Sequence, residues 1–358
     1  IIAVYSIMSS EFRQNDEEVE ENLENQSGPT GKNTGTSARN GSRDKVLDSA
    51  LRPQTFEEYV GQEAVKGNLK VLLEAAKERN QQPEHILFYG PPGLGKTTIS
   101  HLVAKTLGAN MKTTSGPAIE KVGDLASILT NLESGDVLFI DEIHRLNKMI
   151  EEVLYPAMES GVIDIIIGKG PAARTIQLDI PSFTLVGATT RVALLSSPLR
   201  SRFSGGVFRL ENYSISEIKQ IIKRSAKILD IDITDEAATE IAKRSRSTPR
   251  TANYLLKRAR DLAQIRKTEL AKDIVEEVVT MLEIDEHGMN QIDRNLLRVI
   301  IQNFKGGPVG ISTLAASLNE EAETIEEVIE PYLLQIGMLE RTPRGRVATQ
   351  KAIDYMRL

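Results

Sequence analysis

The stretch Gly90–Thr97, which reads GPPGLGKT, constrains the fold of this 358-residue chain more than any other. It follows the apolar run Ile86–Tyr89 and precedes a helical pattern from Thr98 to Leu107. A strand, a glycine-rich loop and a helix in this order predict a phosphate-binding loop, because glycine lets backbone N–H groups turn inward around an anion. The helix adds its positive end. A Gly-Pro surface turn would need neither Lys96 nor the flanking elements, so we interpret the stretch as part of a nucleotide site.

The same loop carries the first predicted contacts with ATP and Mg²⁺. Lys96 is expected to reach the β- and γ-phosphates, and the hydroxyl of Thr97 is expected to bind Mg²⁺. Gly93 and Gly95 of the same stretch, and Thr98 directly after it, are also predicted to bind the nucleotide.

Two further apolar runs, Val137–Ile140 and Phe183–Ala188, are typical of buried strands and are separated by helical stretches. Alternating strands and helices predict an α/β fold with a parallel sheet, in which ligands lie at the carboxyl ends of the strands. Asp141 and Glu142 directly follow the first run. We expect Asp141 to help hold Mg²⁺ beside Thr97, and Glu142 to orient and deprotonate the attacking water.

Other polar residues at strand or helix ends are weaker candidates on chemistry alone. Thr189 and Thr190 end the second run, where a hydroxyl could sense the γ-phosphate. Arg202 could serve the γ-phosphate of a neighbouring subunit, although an isolated surface arginine is usually a solvated charge. Arg250 opens a later helix among several other basic residues, so chemistry does not single it out.

The composition excludes several kinds of site. The chain has no cysteine, which excludes disulfides and thiolate metal sites and fits a cytoplasmic location. Its four histidines are dispersed, and we expect His144 to fix a local turn rather than bind a metal. No apolar run approaches the roughly 18 residues of a membrane span, so no membrane contact is expected. A net charge of −6 argues against general nucleic-acid affinity but not against local basic patches.

Changes in composition predict four segments. Residues 9–42 are polar with almost no apolar periodicity, and residues 1–44 contain eight acidic and four basic residues, so we expect residues 1–44 to form a disordered acidic tail. Residues 45–214 carry the ATPase elements, and residues 215–285 predict a small helical lid domain with Ser216 as its first N-cap. Residues 286–358 combine three helices with a short β-ribbon, which is typical of a winged helix-turn-helix domain.

A predicted β-hairpin between Ile163 and Ile180 interrupts the alternation of strands and helices. Apolar residues recur at every second position on both sides of the loop Gly168–Pro171. We expect two apolar faces, one of them exposed for docking a partner, although both could be buried inside the protein.

The ribbon of the C-terminal segment carries Arg341, Arg344 and Arg346, whereas the helical segment before it carries six glutamates between residues 320 and 330. DNA phosphates would repel those carboxylates. We therefore expect the ribbon, led by Arg344 and Arg346, to contact the DNA backbone and the acidic helix to face away. Pro331 lacks a backbone N–H and should bend that helix. The alternative is that these arginines form only a solvated loop.

Six stretches together resemble the RuvB family of AAA+ motors, which drive branch migration of Holliday junctions. The likeness runs from about Leu51 to about Thr349. The phosphate loop is common to many ATPases, whereas the hairpin and the RTPRGR wing are much more specific. The six stretches are GPPGLGKTT, VLFIDEIHRL, IDIIIGKGPAARTIQLDIPSFTLVGATTR, SPLRSRF, TPRTANYLLKRARDLA and EPYLLQIGMLERTPRGRVAT.

The resemblance implies a homohexameric ring that pulls double-stranded DNA through itself by ATP hydrolysis. RuvA would hold the four-way junction, and RuvC would join through the complex. Asp141 and Glu142 would be the Walker B pair, with Thr190 as first sensor, Arg202 as arginine finger and Arg250 as second sensor. The resemblance also places Leu51, Arg52, Tyr59, Val60 and Tyr213 around the adenine, and Ile163, Ile165, Ile167, Ile176 and Leu178 in a RuvA-docking hairpin.

The sequence departs from the usual family pattern at three places. Ser247 stands where the family usually has glycine, the segment Ser204–Val207 is one residue longer, and Asn212 replaces an aromatic residue before Tyr213. These departures concern the finger loop and the adenine pocket.

Two other classes of protein stay open at this point. A nucleotide-gated winged-helix transcription regulator would need an effector-binding or polymerase-contacting module, which the sequence does not show. A clamp-loader-like AAA+ binding module is disfavoured by the hairpin and the wing.

Overall fold

The structure, a computed structural model, describes residues 50–167 and 174–357. The predicted acidic tail and the hairpin loop Gly168–Pro171 lie outside these residues. Five parallel strands form the sheet at the centre of the ATPase segment: β1 (Ile86–Tyr89), β2 (Met111–Ser115), β3 (Val137–Asp141), β6 (Thr184–Thr189) and β7 (Gly206–Arg209). Their order in the sheet is β2-β3-β6-β1-β7.

Helices cover both faces of this sheet, because successive residues of Ile86–Phe88 in β1 and of Val137–Ile140 in β3 point to opposite faces and are all apolar. Phe88 and Phe139 belong to a buried cluster on one face, and Leu87, Leu138 and Ile140 belong to a second buried cluster on the other. The helices of this segment are α1 (Glu63–Glu78), α2 (Lys96–Leu107), α3 (Val122–Thr130), α4 (Lys148–Ser160) and α5 (Ser197–Ser201).

The predicted hairpin consists of antiparallel strands β4 (Val162–Ile167) and β5 (Arg174–Asp179). Ile163 pairs with Leu178, and Ile165 pairs with Ile176. Directly paired residues of antiparallel strands share a face, so these four apolar residues lie on one side. Each pair on the other side contains at least one polar residue: Val162 pairs with Asp179, Asp164 with Gln177 and Ile166 with Thr175. The expectation of two apolar faces is therefore wrong: the hairpin has one.

Four helices form the lid: α6 (Ile215–Ile228), α7 (Asp235–Arg244), α8 (Pro249–Arg266) and α9 (Lys272–Met281). The N-cap of α6 is Ser214 rather than Ser216. The Ser214 hydroxyl accepts a hydrogen bond from the Glu217 N–H, and the Glu217 carboxylate accepts one from the Ser214 N–H. This reciprocal capping box satisfies two helix-end donors, which Ser216, inside the helix, does not do.

The C-terminal segment has the predicted winged-helix architecture, and with the parallel sheet and the lid it confirms the predicted fold class. A π-helical turn, Ile325–Ile329, separates α12 (Ala322–Thr324) from α13 (Glu330–Gln335), and Pro331 lies in the first turn of α13. No helix in the described parts of the chain is long and apolar enough to cross a membrane. The elements are α10 (Gln291–Arg298), α11 (Ile311–Leu318), α12 (Ala322–Thr324), α13 (Glu330–Gln335), β8 (Leu339–Thr342), β9 (Gly345–Ala348) and α14 (Gln350–Arg357).

Candidate functional site

The glycine loop lies between the carboxyl end of β1 and the start of α2, and its shape requires glycine. Gly90, Gly93 and Gly95 have φ angles of +140°, +82° and +95°, which residues with a Cβ rarely adopt. A Cβ on Gly95 would also approach the Tyr59 hydroxyl oxygen to 2.9 Å. The first turn of α2 contains no acidic residue, so its positive end is not neutralised locally. This loop is suited to an anion.

Lys96 is buried in the loop. Its side chain donates hydrogen bonds to the carbonyls of Gly90 and Pro91, both at 2.8 Å. Burial lowers the pKa of Lys96 to about 8, an effect opposed in part by the carboxylates of Asp141 and Glu142. A bound anion would favour the charged form and raise that pKa again. The position and the electrostatics of Lys96 therefore suit a phosphate ligand.

Asp141 and Glu142 lie at the carboxyl end of β3. The Glu142 N–H donates to the Asp141 carboxylate at 2.9 Å. Glu142 has φ 48° and ψ 41°, a left-handed conformation that is strained for a residue with a Cβ. Strain of this kind clusters at functional sites, and here it fixes the direction of a half-exposed carboxylate.

The residues predicted to hold Mg²⁺ fit that ion. Thr97 and Asp141 offer a hydroxyl and a carboxylate oxygen, the hard donors that Mg²⁺ prefers. Among the described residues, no group of three or more acidic or histidine side chains could hold a metal ion. In nucleotide sites Mg²⁺ takes one or two protein ligands and completes its shell with phosphate and water, so the oxygens of Thr97 and Asp141 would be enough.

The neighbouring strand β6 ends in two threonines with different surroundings. The Thr189 hydroxyl is buried, bonded to His144 Nδ1 at 2.9 Å, and accepts a hydrogen bond from the Arg191 N–H at 2.9 Å. Thr190 is exposed at the same edge of the sheet. His144 thus has a structural partner, and Thr190 keeps the position expected of a sensor.

The lid reaches the glycine loop at the start of α8. A Cβ on Gly93 would lie 3.3 Å from the Cβ of Arg250 and 3.4 Å from that of Thr248. Ser247, which stands where the family usually has glycine, has a φ angle of +55°. Glycine adopts this left-handed conformation without strain, whereas a residue with a Cβ rarely does. Four other basic residues near Arg250 form ion pairs with acidic residues: Arg244, Arg246, Arg258 and Arg260. The position of Arg250 beside the glycine loop therefore distinguishes it from these four arginines, whereas the sequence alone did not.

Two of the predicted adenine-packing residues, Tyr59 and Tyr213, contact the glycine loop. The hydroxyls of Tyr59 and Tyr213 lie 3.4 Å and 3.3 Å from the carbonyl oxygen of Leu94, and 3.2 Å from each other. Leu51, Tyr59 and Tyr213 are buried, and Arg52 and Val60 are partly buried.

Arg224 of α6 is a functional candidate that the sequence analysis missed. Its guanidinium donates to the carbonyls of Leu51 and Glu58 at 2.6 Å and 2.8 Å. It thereby ties both ends of the adenine-packing segment to the lid. No local sequence signal marks an arginine whose partners are backbone carbonyls far away in the chain.

Arg202 follows α5 and is held against its own subunit. It donates to the Pro198 carbonyl at 2.8 Å, pairs with Glu159 at 3.0 Å and lies 4.4 Å from the centre of the Tyr155 ring. Its Nε is buried and has no hydrogen-bond partner among the described residues. To reach another subunit, this guanidinium must leave Glu159.

The hairpin presents fewer apolar residues than expected. Ile163 is fully buried among the core residues beneath α4, so its expected role in docking is wrong. Ile165 and Leu178 are partly buried against the same core, and Ile176 is 43% exposed. The side chain of Ile167 lies outside the described residues. The exposed part of the apolar face is therefore centred on Ile176.

The wing differs most from expectation. Arg346 is buried, and its guanidinium forms ion pairs with Glu330, itself 1% exposed, and with Glu326 at 2.8 Å. Arg341 also pairs with Glu326, at 2.5 Å. Arg346 is therefore not placed to contact DNA phosphates, and the expected role of this residue is wrong. Arg344 is exposed at the ribbon turn.

Replacing Arg346 with alanine is expected to destabilise the winged-helix domain by about 3–5 kcal/mol, because Glu330 would keep a buried charge without a partner. Hydrogen–deuterium exchange of α13 and β9 in the full chain measures this local opening. Arg344→Ala is the matched control and should leave exchange unchanged. Equal protection in both variants would show that the buried pair does not stabilise the domain.

Three domain families match consecutive segments of this chain. They are the Holliday junction DNA helicase RuvB P-loop domain at residues 51–210, the RuvB AAA lid domain at residues 213–285, and the RuvB C-terminal winged helix domain at residues 286–357. The chain belongs to the RuvB family. This assignment confirms the resemblance drawn from the sequence motifs.

Solved RuvB structures are similar over most of their length. One described as the Thermotoga maritima RuvB Holliday junction branch migration motor is 52% identical, with a TM-score of 0.79. Two point mutants of Thermotoga maritima RuvB are 51% and 52% identical, with TM-scores of 0.79 and 0.80. Each match covers 86% of this chain and 98% of the other. The RuvB architecture of ATPase, lid and winged helix therefore extends across residues 51–357.

Proposed function

We propose that this protein is an ATP-hydrolysing motor that moves double-stranded DNA at four-way junctions, together with RuvA, in recombination and repair. The observation that carries the proposal is the convergence of Lys96, Asp141, Glu142 and Arg250 on one glycine loop in a chain of the RuvB family. A transcription regulator or a clamp-loader-like module would not account for the family match along all three segments.

The residues of the site divide the chemistry between them. The loop N–H groups and Lys96 bind the β- and γ-phosphates of ATP, and Thr97 and Asp141 would hold Mg²⁺, which neutralises phosphate charge. Glu142 orients the attacking water and takes its proton. Thr190 senses the γ-phosphate from the end of β6, and Arg250 approaches it from the lid.

The proposal also covers assembly and location. Arg202 would complete the site of the next subunit in a homohexameric ring around DNA, and RuvC would join through the complex with RuvA. We further propose a cytoplasmic location. The domain boundaries at residues 45–214, 215–285 and 286–358 stay a prediction, and they lie close to the ranges of the three matched families.

Arg344→Ala is expected to weaken DNA binding equally for all sequences, because a phosphate contact positions the protein without reading bases. The slope of log affinity against log salt should fall by about one. Fluorescence anisotropy with two unrelated duplexes measures both quantities. Arg298→Ala, which removes an exposed arginine of α10, is the control. A parental salt slope in Arg344→Ala would remove the wing from the DNA interface.

Ile176→Asp is expected to weaken RuvA binding by about 1.5–3 kcal/mol, the free energy of burying one aliphatic side chain, and to leave ATPase activity without DNA unchanged. Thr175→Asp is the matched control, because Thr175 is exposed on the polar face of the same strand. Calorimetric titration with RuvA measures the difference. If both variants bind RuvA like the parent, the apolar face of the hairpin is not the docking surface.

ATPase measurements separate the motor from its alternatives. A motor should hydrolyse ATP faster when double-stranded DNA of any sequence is added. A strong preference for one sequence would favour a regulator, and no response to DNA would contradict the proposed function.

A further inference from the structure

A chain of charged contacts links the end of β6 to the wing. Arg191 directly follows Thr190, and its N–H is bonded to the buried Thr189 hydroxyl. Its side chain crosses to the winged-helix domain, where it pairs with Glu327 at 2.8 Å and lies 3.9 Å from Glu326. The residue beside the predicted sensor thus contacts the acidic segment directly.

The same acidic segment holds the wing. Glu326 pairs with Arg341 at 2.5 Å and with Arg346 at 2.8 Å, and Glu330 pairs with Arg346 in the domain interior. Glu326 therefore contacts cations of both strands of the ribbon and lies close to Arg191. A displacement of Arg191 would change the balance of charge that positions the ribbon.

The geometry of the segment fits a movable connection. Glu326 and Glu327 lie on the π-helical turn between α12 and α13, and such turns are frequent at functional sites. Arg191, Glu326 and Glu327 are each about one-third exposed. An ion pair at this level of exposure is weak, so the contact of Arg191 with Glu327 could break and re-form when the end of β6 moves.

We propose that Arg191 and Glu327 couple the nucleotide state at the end of β6 to the position of the wing. Arg191 is a positioning residue in this proposal: it acts through Glu327 and Glu326. The inference rests on the proposed function, because coupling of this kind would let ATP binding change the affinity of the winged-helix domain for DNA.

Hydrogen–deuterium exchange on the full-length protein tests the coupling without DNA. Exchange in β8 and β9 is compared with and without a non-hydrolysable ATP analogue and Mg²⁺. In the parent, the analogue should change the exchange rate of the ribbon. Arg191→Ala and Glu327→Gln should each reduce that change by about two- to fivefold, since an ion pair that is about one-third exposed contributes little more.

Two further variants separate coupling from simple damage. Glu323→Gln removes an exposed charge just before the π-helical turn and should respond like the parent. The exchanged pair Arg191→Glu with Glu327→Arg should restore at least half of the parental response, because the ion pair is re-formed with its charges reversed.

The possible results are distinct. An unchanged response in Arg191→Ala and Glu327→Gln, or no response in the parent, overturns the coupling. So does loss of analogue binding in Arg191→Ala, because Arg191 would then act at the nucleotide site. A parent whose ATPase ignores DNA refutes the motor function instead, and the exchange result stands independently of it.

Discussion

Arg202→Ala should bind ATP as the parent does and hydrolyse it about 10³–10⁵ times more slowly, the range expected when a transition-state arginine is removed. In a single subunit, Arg202 is bound to Glu159 and to the Pro198 carbonyl. In the proposed ring it would have to leave Glu159 to stabilise phosphate charge on a neighbouring subunit. Arg200→Ala, which removes an exposed arginine two residues away, is the matched control and should keep activity.

Mixed rings decide whether this arginine acts between subunits. Arg202→Ala subunits keep an intact glycine loop, and Lys96→Ala subunits keep the arginine but should not bind ATP. When the two variants are mixed, some interfaces should combine the intact glycine loop of one subunit with the intact Arg202 of the next. Part of the ATPase activity should therefore return. No recovery in rings shown to be mixed would count against an arginine acting in trans.

Glu142→Gln should lower the rate of ATP hydrolysis by about 10²–10⁴-fold and keep Mg·ATP binding, because the amide preserves shape but accepts no proton. The weak, exposed contact of Glu142 with Arg145 at 3.6 Å contributes little to stability, so the fold should be unaffected. Single-turnover ATPase and calorimetric nucleotide binding measure the two effects separately.

Two comparisons make the Glu142 result specific. Glu152→Gln makes the same chemical change at an exposed residue of α4 and should hydrolyse ATP normally. Lys96→Ala should lose nucleotide binding itself, since it removes the cation of the loop. Hydrolysis by Glu142→Gln at the parental rate would show that another group activates the water.

The nucleotide site could be predicted from sequence because its parts are short and local. Lys96 lies inside a glycine loop, and Asp141 and Glu142 directly follow a buried strand. Parallel strands bring their carboxyl ends to one edge, which predicts that these groups meet although they are far apart in the chain. The predicted α/β fold follows from the same alternation of apolar strands and helices.

The wing and the hairpin could be predicted only in outline, because their surfaces depend on partners distant in sequence. The charge of Arg346 suggested DNA, but packing places it against Glu330 and Glu326. In the hairpin, each strand alone shows an apolar alternation. Only the pairing of Ile165 with Ile176 reveals that both alternations occupy one face.

The contacts that tie segments together were not predictable from local patterns. Arg224 binds the carbonyls of Leu51 and Glu58, and Arg191 binds Glu327. An arginine in such a position has the same local signature as a solvated surface charge. Its role depends on which backbone carbonyl or carboxylate the fold places near the guanidinium.

Branch migration of a synthetic four-way junction tests the central claim most directly. The measurement follows conversion of the junction into two duplexes with ATP and Mg²⁺, with and without RuvA, for the parent and for Glu142→Gln. We expect conversion by the parent when RuvA is present, and none by Glu142→Gln under the same conditions. Failure of the parent with RuvA and ATP, or equal conversion by Glu142→Gln, would contradict an ATP-driven branch-migration motor.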